Sequence, residues 1–185
     1  WSGVRETCRN RISLGYTLIA GCIFGALVGY LSSAQQMFAS IYAITDLFPL
    51  YFAVLALAVG LTSIINGRMV LKYGMRLLSR LALICLTVLS VVFFLYAAQV
   101  DGIPSLWMNM TYFIFAFLCF GLLFGNLNAL AMEPLGHIAG IGAAVVGSLS
   151  TLISAPLGAL IGQLFDGTVL PLVGGFALLA TLALS

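Results

Sequence analysis

Six apolar runs separated by short polar breaks account for nearly all of this chain. They fall at about residues 12–37, 49–65, 77–98, 106–132, 138–164 and 169–185, after a polar opening stretch at 1–11. A helix needs about 20 residues to cross roughly 30 Å of hydrocarbon, so each run predicts a helix of near-spanning length. The breaks carry turn chemistry: Asp46 within 38–48, then Gln99-Val-Asp-Gly-Ile-Pro104, Glu133-Pro-Leu-Gly-His137 and Phe165-Asp-Gly167. The predicted fold class is an all-α membrane protein, with a linker at 1–11 and a bundle of six transmembrane helices at 12–185.

Small residues recur inside the runs at helical steps. Gly21, Gly25 and Gly29 lie on one face of the first run, and Gly121 and Gly125 stand four apart in the fourth. The fifth carries Gly140, Ala143 or Ala144, Gly147, Ser150 or Thr151, Ser154, Gly158 and Gly162 along one face. Lipid tails are as apolar as leucine, so helices in a bilayer associate by close backbone approach, which such stripes permit. Gly21, Gly25, Gly29, Gly140, Gly147, Gly158 and Gly162 are therefore the predicted helix-packing positions. Pro156 predicts a local kink. The far part of the first run, Tyr30-Leu-Ser-Ser-Ala-Gln-Gln36, is oddly polar. It either faces a water-filled cavity or forms the interfacial end of its helix.

Composition removes the soluble alternative. The chain is 6% charged and 63% hydrophobic, against roughly a quarter charged in a soluble domain. A Lys, Arg or Asp at a bilayer centre costs about 2.5 to 3.5 kcal/mol on insertion scales, and that cost explains the depletion. The placement of the few cations then orients the bundle. Arg5, Arg9 and Arg11 precede the first run, and the other four of the seven basic residues, Arg68, Lys72, Arg76 and Arg80, follow the second. Six spans put all of them on the cytoplasmic face and Asp46, Asp101 and Asp166 in the outer loops, with both ends cytoplasmic. A multi-pass protein of the cell's inner membrane is expected. Asn66, Gly67, Arg68, Lys72, Gly74 and Arg76 make up a topology and gating loop, whose glycines allow a tight reversal. Its cations are free to dock on helix C-termini or on facing acids, latching one state of a moving bundle.

Candidate chemistry is sparse. His137 has no second ligand at zinc spacing, no Gly-x-Ser-x-Gly elbow is present, and no glycine-rich phosphate loop occurs. The four cysteines, Cys8, Cys22, Cys85 and Cys119, show no paired spacing. No catalytic residue, metal site, cofactor or nucleic-acid partner is predicted. All five acids fall in predicted loops, so any proton-relay carboxylate is expected outside this chain, with Glu133 the marginal candidate within it.

Two stretches resemble a known family. Gly67-Arg-Met-Val-Leu-Lys72-Tyr-Gly74-Met-Arg76 is similar to the loop motif of the major facilitator superfamily, in the form found between the second and third helices of its C-terminal half. The pattern Asn66-x-Arg68-x-Val70-x-Lys72-x-Gly74, and the stretch from Asn128 through Glu133-Pro-Leu-Gly-His137 to Gly147, resemble the Bcr/CflA drug-resistance subfamily. Leu71 stands where that loop commonly has an acid, which puts an acid-dependent latch on this side in question. The resemblance implies the C-terminal half of a secondary transporter, made of two inverted three-helix repeats. It implies an N-terminal six-helix half as partner, and proton-coupled efflux (antiport) of drugs or small amphiphiles by alternating access. The chain opens without Met and stops within an apolar run, so both ends are expected to be cut from something longer. Cavity residues in such folds come from the first and fourth helices, which nominates Ser32, Ser33, Gln36, Asn126 and Asn128. A self-contained six-helix oligomeric channel or carrier is the alternative, although no selectivity element is visible. A membrane-embedded lipid-modifying enzyme would need convergent His, Asp or Glu at membrane depth.

Overall fold

The structure, a computed structural model, describes residues 2–184. Trp1 and Ser185, the first residue of the expected linker and the last of the sixth run, lie outside the described residues. The elements are helices α1 (Ser2–Arg9), α2 (Arg11–Tyr42), α3 (Phe48–Tyr73), α4 (Met75–Gln99) and α5 (Leu106–Met132), a 3-10 turn (Glu133–Ile138), and helices α6 (Ala139–Gln163) and α7 (Leu170–Leu184). Four helical segments are long and apolar enough to cross a membrane: Arg11–Tyr42, Phe48–Tyr73, Met75–Gln99, and Leu106–Gln163, which joins α5, the turn and α6. Leu170–Leu184 is apolar but shorter.

Several boundaries differ from the apolar runs, for local reasons. The opening stretch is helical, and Asn10 separates it from α2 by capping: its Oδ1 accepts the backbone N–H of Ile12 and of Ser13, both at 3.1 Å. The polar 30–36 segment does not end α2, which runs on to Tyr42 and closes on Ala43 at φ 53°. The expected basic loop is mostly helix. Residues 66–73 continue α3, because Arg, Met, Leu and Lys favour helix once past the apolar segment. Gly74 alone separates α3 from α4, at φ 80° and ψ 152°, a conformation essentially reserved for glycine. Helix α6 passes through Pro156 without a break.

Two helices form the centre. Helix α2 packs on α5, α6 and α7, while α5 packs on α2, α3 and α4, and α4 also meets α7. Exchanging α2, α3, α4 for α5, α6, α7 leaves these principal pairings unchanged. Contacts fix the directions. On α2, Gly21, Gly25 and Gly29 face Ile153, Leu157 and Ile161 of α6 in the same order, so the two helices run parallel. On α3 and α5, Thr62 meets Gly121 and Asn66 meets Asn126, again parallel. Between α2 and α5 the order reverses: Phe24 stacks on Phe124 and Tyr30 packs on Phe117 and Phe113.

The α2–α6 seam is interlocked. A Cβ added at Gly21 or Gly29 would come within 2.9 Å of Ile153 or Ile161 respectively. In the reverse direction, Gly158 is closed by Val28 and the backbone of Gly29, and Gly162 by Ser32. Gly140 and Gly147 depart from the predicted stripe, since no atom from another part of the fold lies within 4 Å of where their Cβ would stand. The interlocked glycines of the seam lie in the second half of α6; in the first half Gly140 and Gly147 turn outward and are exposed, while Val146 and Ser150 are buried.

The three aspartates and the basic side chains lie at opposite ends. The Tyr42 hydroxyl donates to the Pro104 carbonyl at 3.0 Å, and the Val169 N–H donates to Gly102 at 2.9 Å. These bonds gather the loops that hold Asp46, Asp101 and Asp166. At the opposite end α1 sits on the start of α6 through Gly3 and Ile141. The starts of α2 and α4 adjoin there, near the end of α3, so all the basic side chains share that end. Along the sides, Leu57, Leu61, Ile64 and Ile65 of α3, and Leu81, Val88 and Val92 of α4, lie exposed in helical stripes, surface suited to lipid rather than water.

Replacing Gly158 by Ala drives a methyl into Val28 and the Gly29 backbone, and is expected to lower stability by about 1 to 3 kcal/mol. Gly140→Ala meets nothing and is expected to change stability by no more than about 0.5 kcal/mol. Thermal unfolding of the two variants in detergent checks the difference.

Candidate functional site

Where α2, α5 and α6 meet, a recess of about 400 Å3 opens, lined by Phe24, Val28, Asn128, Gly147, Ser150, Thr151 and Ser154. Its wall on α6 is a run of small and hydroxylated residues at helical spacing. Its wall on α2 is Phe24 and Val28, and the Phe24 ring is backed by Phe124 of α5, the two rings lying flat on each other with centroids 4.7 Å apart and planes 2° apart. The gap exists because Gly147 places no side chain there, while the close seam further along α6 holds the helices together.

The hydroxyls are satisfied weakly or by their own helix. Thr151 Oγ1 donates to the Gly147 carbonyl at 2.9 Å, and Ser154 Oγ to the Thr151 carbonyl at 3.3 Å. Ser150 Oγ reaches the Thr17 carbonyl of α2 only at 3.5 Å, a marginal bond. Asn128 Nδ2 donates to the Phe124 carbonyl at 2.9 Å, which leaves its Oδ1 without a protein partner among the described residues. The recess thus offers an amide oxygen, readily displaced hydroxyls and the Phe24 ring, and none of its lining side chains carries a charge. That is equipment for holding a small amphipathic molecule, with apolar walls and a few polar groups to orient it.

Of the nominated cavity residues, only Asn128 lines the recess. Ser32 is drawn into the α2–α6 seam, its single hydroxyl proton shared between the carbonyls of Gly29 at 2.9 Å and Gly158 at 3.3 Å. Ser33 is buried and donates to the Gly29 carbonyl at 2.8 Å. Gln36 is exposed further along α2. Asn126 is buried and exchanges two amide hydrogen bonds with Asn66, at 2.9 and 3.0 Å. Asn66 is accordingly no loop residue: it sits inside α3, in a reciprocal clasp that ties α3 to α5. Composition gave no sign of this pairing, since nothing in a single chain marks two asparagines 60 residues apart as neighbours. The hydroxyl face of α6 was visible as periodicity, but the same periodicity serves packing, and only the position of α2 separates the two uses.

The loop residues also divide. Gly67, Arg68 and Lys72 lie in the last turns of α3, exposed, with the Lys72 ammonium 5.0 Å from the centroid of the Tyr73 ring. Arg76 opens α4 and donates to Glu133 at 2.9 Å, an exposed pair across to the end of α5. At the other end of the same 3-10 turn, His137 Nε2 lies 2.7 Å from Glu6 Oε1 of α1. The turn is therefore tied to α4 on one side and to α1 on the other. Among the described residues no cluster of three or more His, Cys, Asp or Glu is placed to hold a metal ion.

Comparison with known proteins adds a class. An uncharacterized MFS-type transporter, YdgK, of Bacillus subtilis is 28% identical over 155 residues, covering 83% of this chain and 38% of that protein. A bicyclomycin resistance protein homolog of Haemophilus influenzae is 25% identical over 165 residues, covering 86% of this chain and 40% of that protein. The chain spans about 40% of the length of these curated relatives. No family model matches it, and no solved structure does. The similarity covers most of the chain and, with the helices of spanning length, marks a multi-pass membrane protein.

Asn126→Leu strands the buried Asn66 amide and is expected to cost about 1 to 2 kcal/mol. Adding Asn66→Leu should recover at least half of that loss, because neither site then buries an unpaired amide. Unfolding of the two single variants and the double variant measures the coupling.

Proposed function

We propose that this chain is the C-terminal half of a major facilitator-type secondary transporter, of the Bcr/CflA kind, that exports drugs or small amphiphilic molecules in exchange for protons. Six helices, α2 to α7, cross the inner membrane with both ends cytoplasmic, and an N-terminal six-helix half completes the protein. The packing carries the reading: the principal pairings survive exchange of α2–α4 for α5–α7, as two inverted three-helix repeats require. The coverage of longer transporter relatives over about 40% of their length supports a half, and the word "resistance" in one relative's name supports export.

In this reading the recess beside Asn128 contributes to a substrate cavity closed on its other side by the N-terminal half. Phe24, backed by Phe124, offers a stacking surface, and Asn128, Ser150 and Thr151 offer hydrogen bonds. The Arg76–Glu133 pair latches the basic end in one state of the rocking cycle, and Gly67, Arg68 and Lys72 of α3 and the Gly74 joint lie at the same end. With no charged group in the recess, the coupling carboxylate belongs to the other half.

Dye efflux from pump-deficient cells expressing the full-length protein tests the whole assignment. Efflux should collapse on addition of a protonophore, and indifference to the protonophore removes the antiport. Asn128→Leu should raise KM about five- to tenfold, the loss of roughly one hydrogen bond, at unchanged surface level. For sidedness, a cysteine placed at Asp101 should react with an impermeant reagent added outside intact cells; reaction only after lysis would reverse the topology.

A further inference from the structure

The crevice between the starts of α2 and α4, at the basic end, is separate from the recess. It encloses about 330 Å3 and is lined by Arg11, Ile12, Gly15, Tyr16, Ile19 and Arg76. Two guanidiniums border one space. Arg76 is held by Glu133 at 2.9 Å, whereas Arg11 makes no side-chain hydrogen bond or ion pair among the described residues. Two cations against one bonded carboxylate leave a positive charge at the mouth. Behind that mouth the lining turns apolar. Ile12, Gly15, Tyr16 and Ile19 follow one face of α2 at steps of three, four and seven residues, leading from Arg11 toward the hydrophobic interior. Gly15 has nothing within 4 Å of where a Cβ would sit, so the trough floor is open.

We propose that this crevice binds an anionic phospholipid, its headgroup phosphate between Arg11 and Arg76 and its acyl chain along Ile12, Gly15 and Ile19. A free anion would use the guanidiniums and leave the apolar trough empty. A zwitterionic lipid would bring its own cation against Arg11. The anionic lipid satisfies both ends, and a guanidinium fork suits phosphate oxygens. Basic pockets between helices at a membrane surface take such headgroups. The site rests on the membrane reading above, though not on the identity of any transported substrate.

The test uses the full-length protein purified in detergent and titrated calorimetrically with dihexanoyl phosphatidylglycerol, dihexanoyl phosphatidylcholine and inorganic phosphate. The phosphatidylglycerol should bind at least about fivefold tighter than the phosphatidylcholine, and Arg11→Gln should remove most of that advantage. Arg9→Gln, which changes an exposed arginine outside the crevice, should leave the advantage intact. Gly15→Leu, filling the trough, should weaken the lipid while leaving any phosphate binding unaltered. Equal affinity for the two lipids, or an equal loss in Arg9→Gln and Arg11→Gln, overturns the site. Inorganic phosphate competing as well as the lipid, with Gly15→Leu silent, leaves a bare anion site and overturns the lipid. Release of the protein from membranes by an alkaline carbonate wash, read before any lipid is added, overturns the membrane reading and this site with it.

Discussion

Close backbone contact between α2 and α6 is the interaction on which the remaining geometry depends. Within a bilayer, leucine gains nothing by leaving lipid for another leucine, so helices are held by dispersion and shape. Gly21, Gly25 and Gly29 receive Ile153, Leu157 and Ile161, while Gly158 and Gly162 receive Val28 and Ser32. Each helix thus supplies both the hollows and the projections. Such a seam fits in one register only, because a slip of one residue sets branched side chains against branched side chains. The parallel course of these two helices follows, and with it the position of α5 across their flank.

The recess is the other side of the same arrangement. Where α6 leaves the seam, its small residues have no projections to receive, and the space beside Gly147 stays open. One helix therefore performs two tasks with one residue type. The half of α6 containing Gly158 and Gly162 holds the bundle together. The half containing Gly147, Ser150 and Thr151 offers polar groups next to a stacked aromatic pair. Elsewhere inside the bundle, polarity includes closed pairings such as Asn66 with Asn126 and Ser90 with Tyr112, whose oxygens lie 3.0 Å apart, beside buried oxygens of Ser13, Tyr30, Ser79 and Asn109 that have no hydrogen-bond partner among the described residues.

Most of this architecture was legible from apolar run lengths, because lipid admits so few ways to satisfy a backbone. The ends of the runs were less so. Hydropathy reports where apolar character stops, whereas the helix stops where capping or glycine geometry stops it, as at Ala43 and Gly74. Residues 66–73 read as a loop because they are polar, yet polarity beyond the hydrocarbon is no obstacle to a helix. The site was legible only in part for a different reason. Ser32, Ser33, Asn126 and Asn128 are equally polar in the sequence, and their fates depend on which neighbour stands opposite. Asn126 meets Asn66, Ser32 meets the Gly158 carbonyl, and Asn128 alone of these borders the recess.

The single-residue joint at Gly74 has a mechanical corollary. Successive Cα atoms stand about 3.8 Å apart, so a joint this short gives the facing ends of α3 and α4 almost no slack. Any tilt that carries the end of α3 sideways must haul the first turn of α4 along with it. Arg76, two residues past the joint, would then pull on Glu133 before α5 had begun to move. The leash thus places the end of α3, the first turn of α4 and the Arg76–Glu133 pair within a few residues of one another.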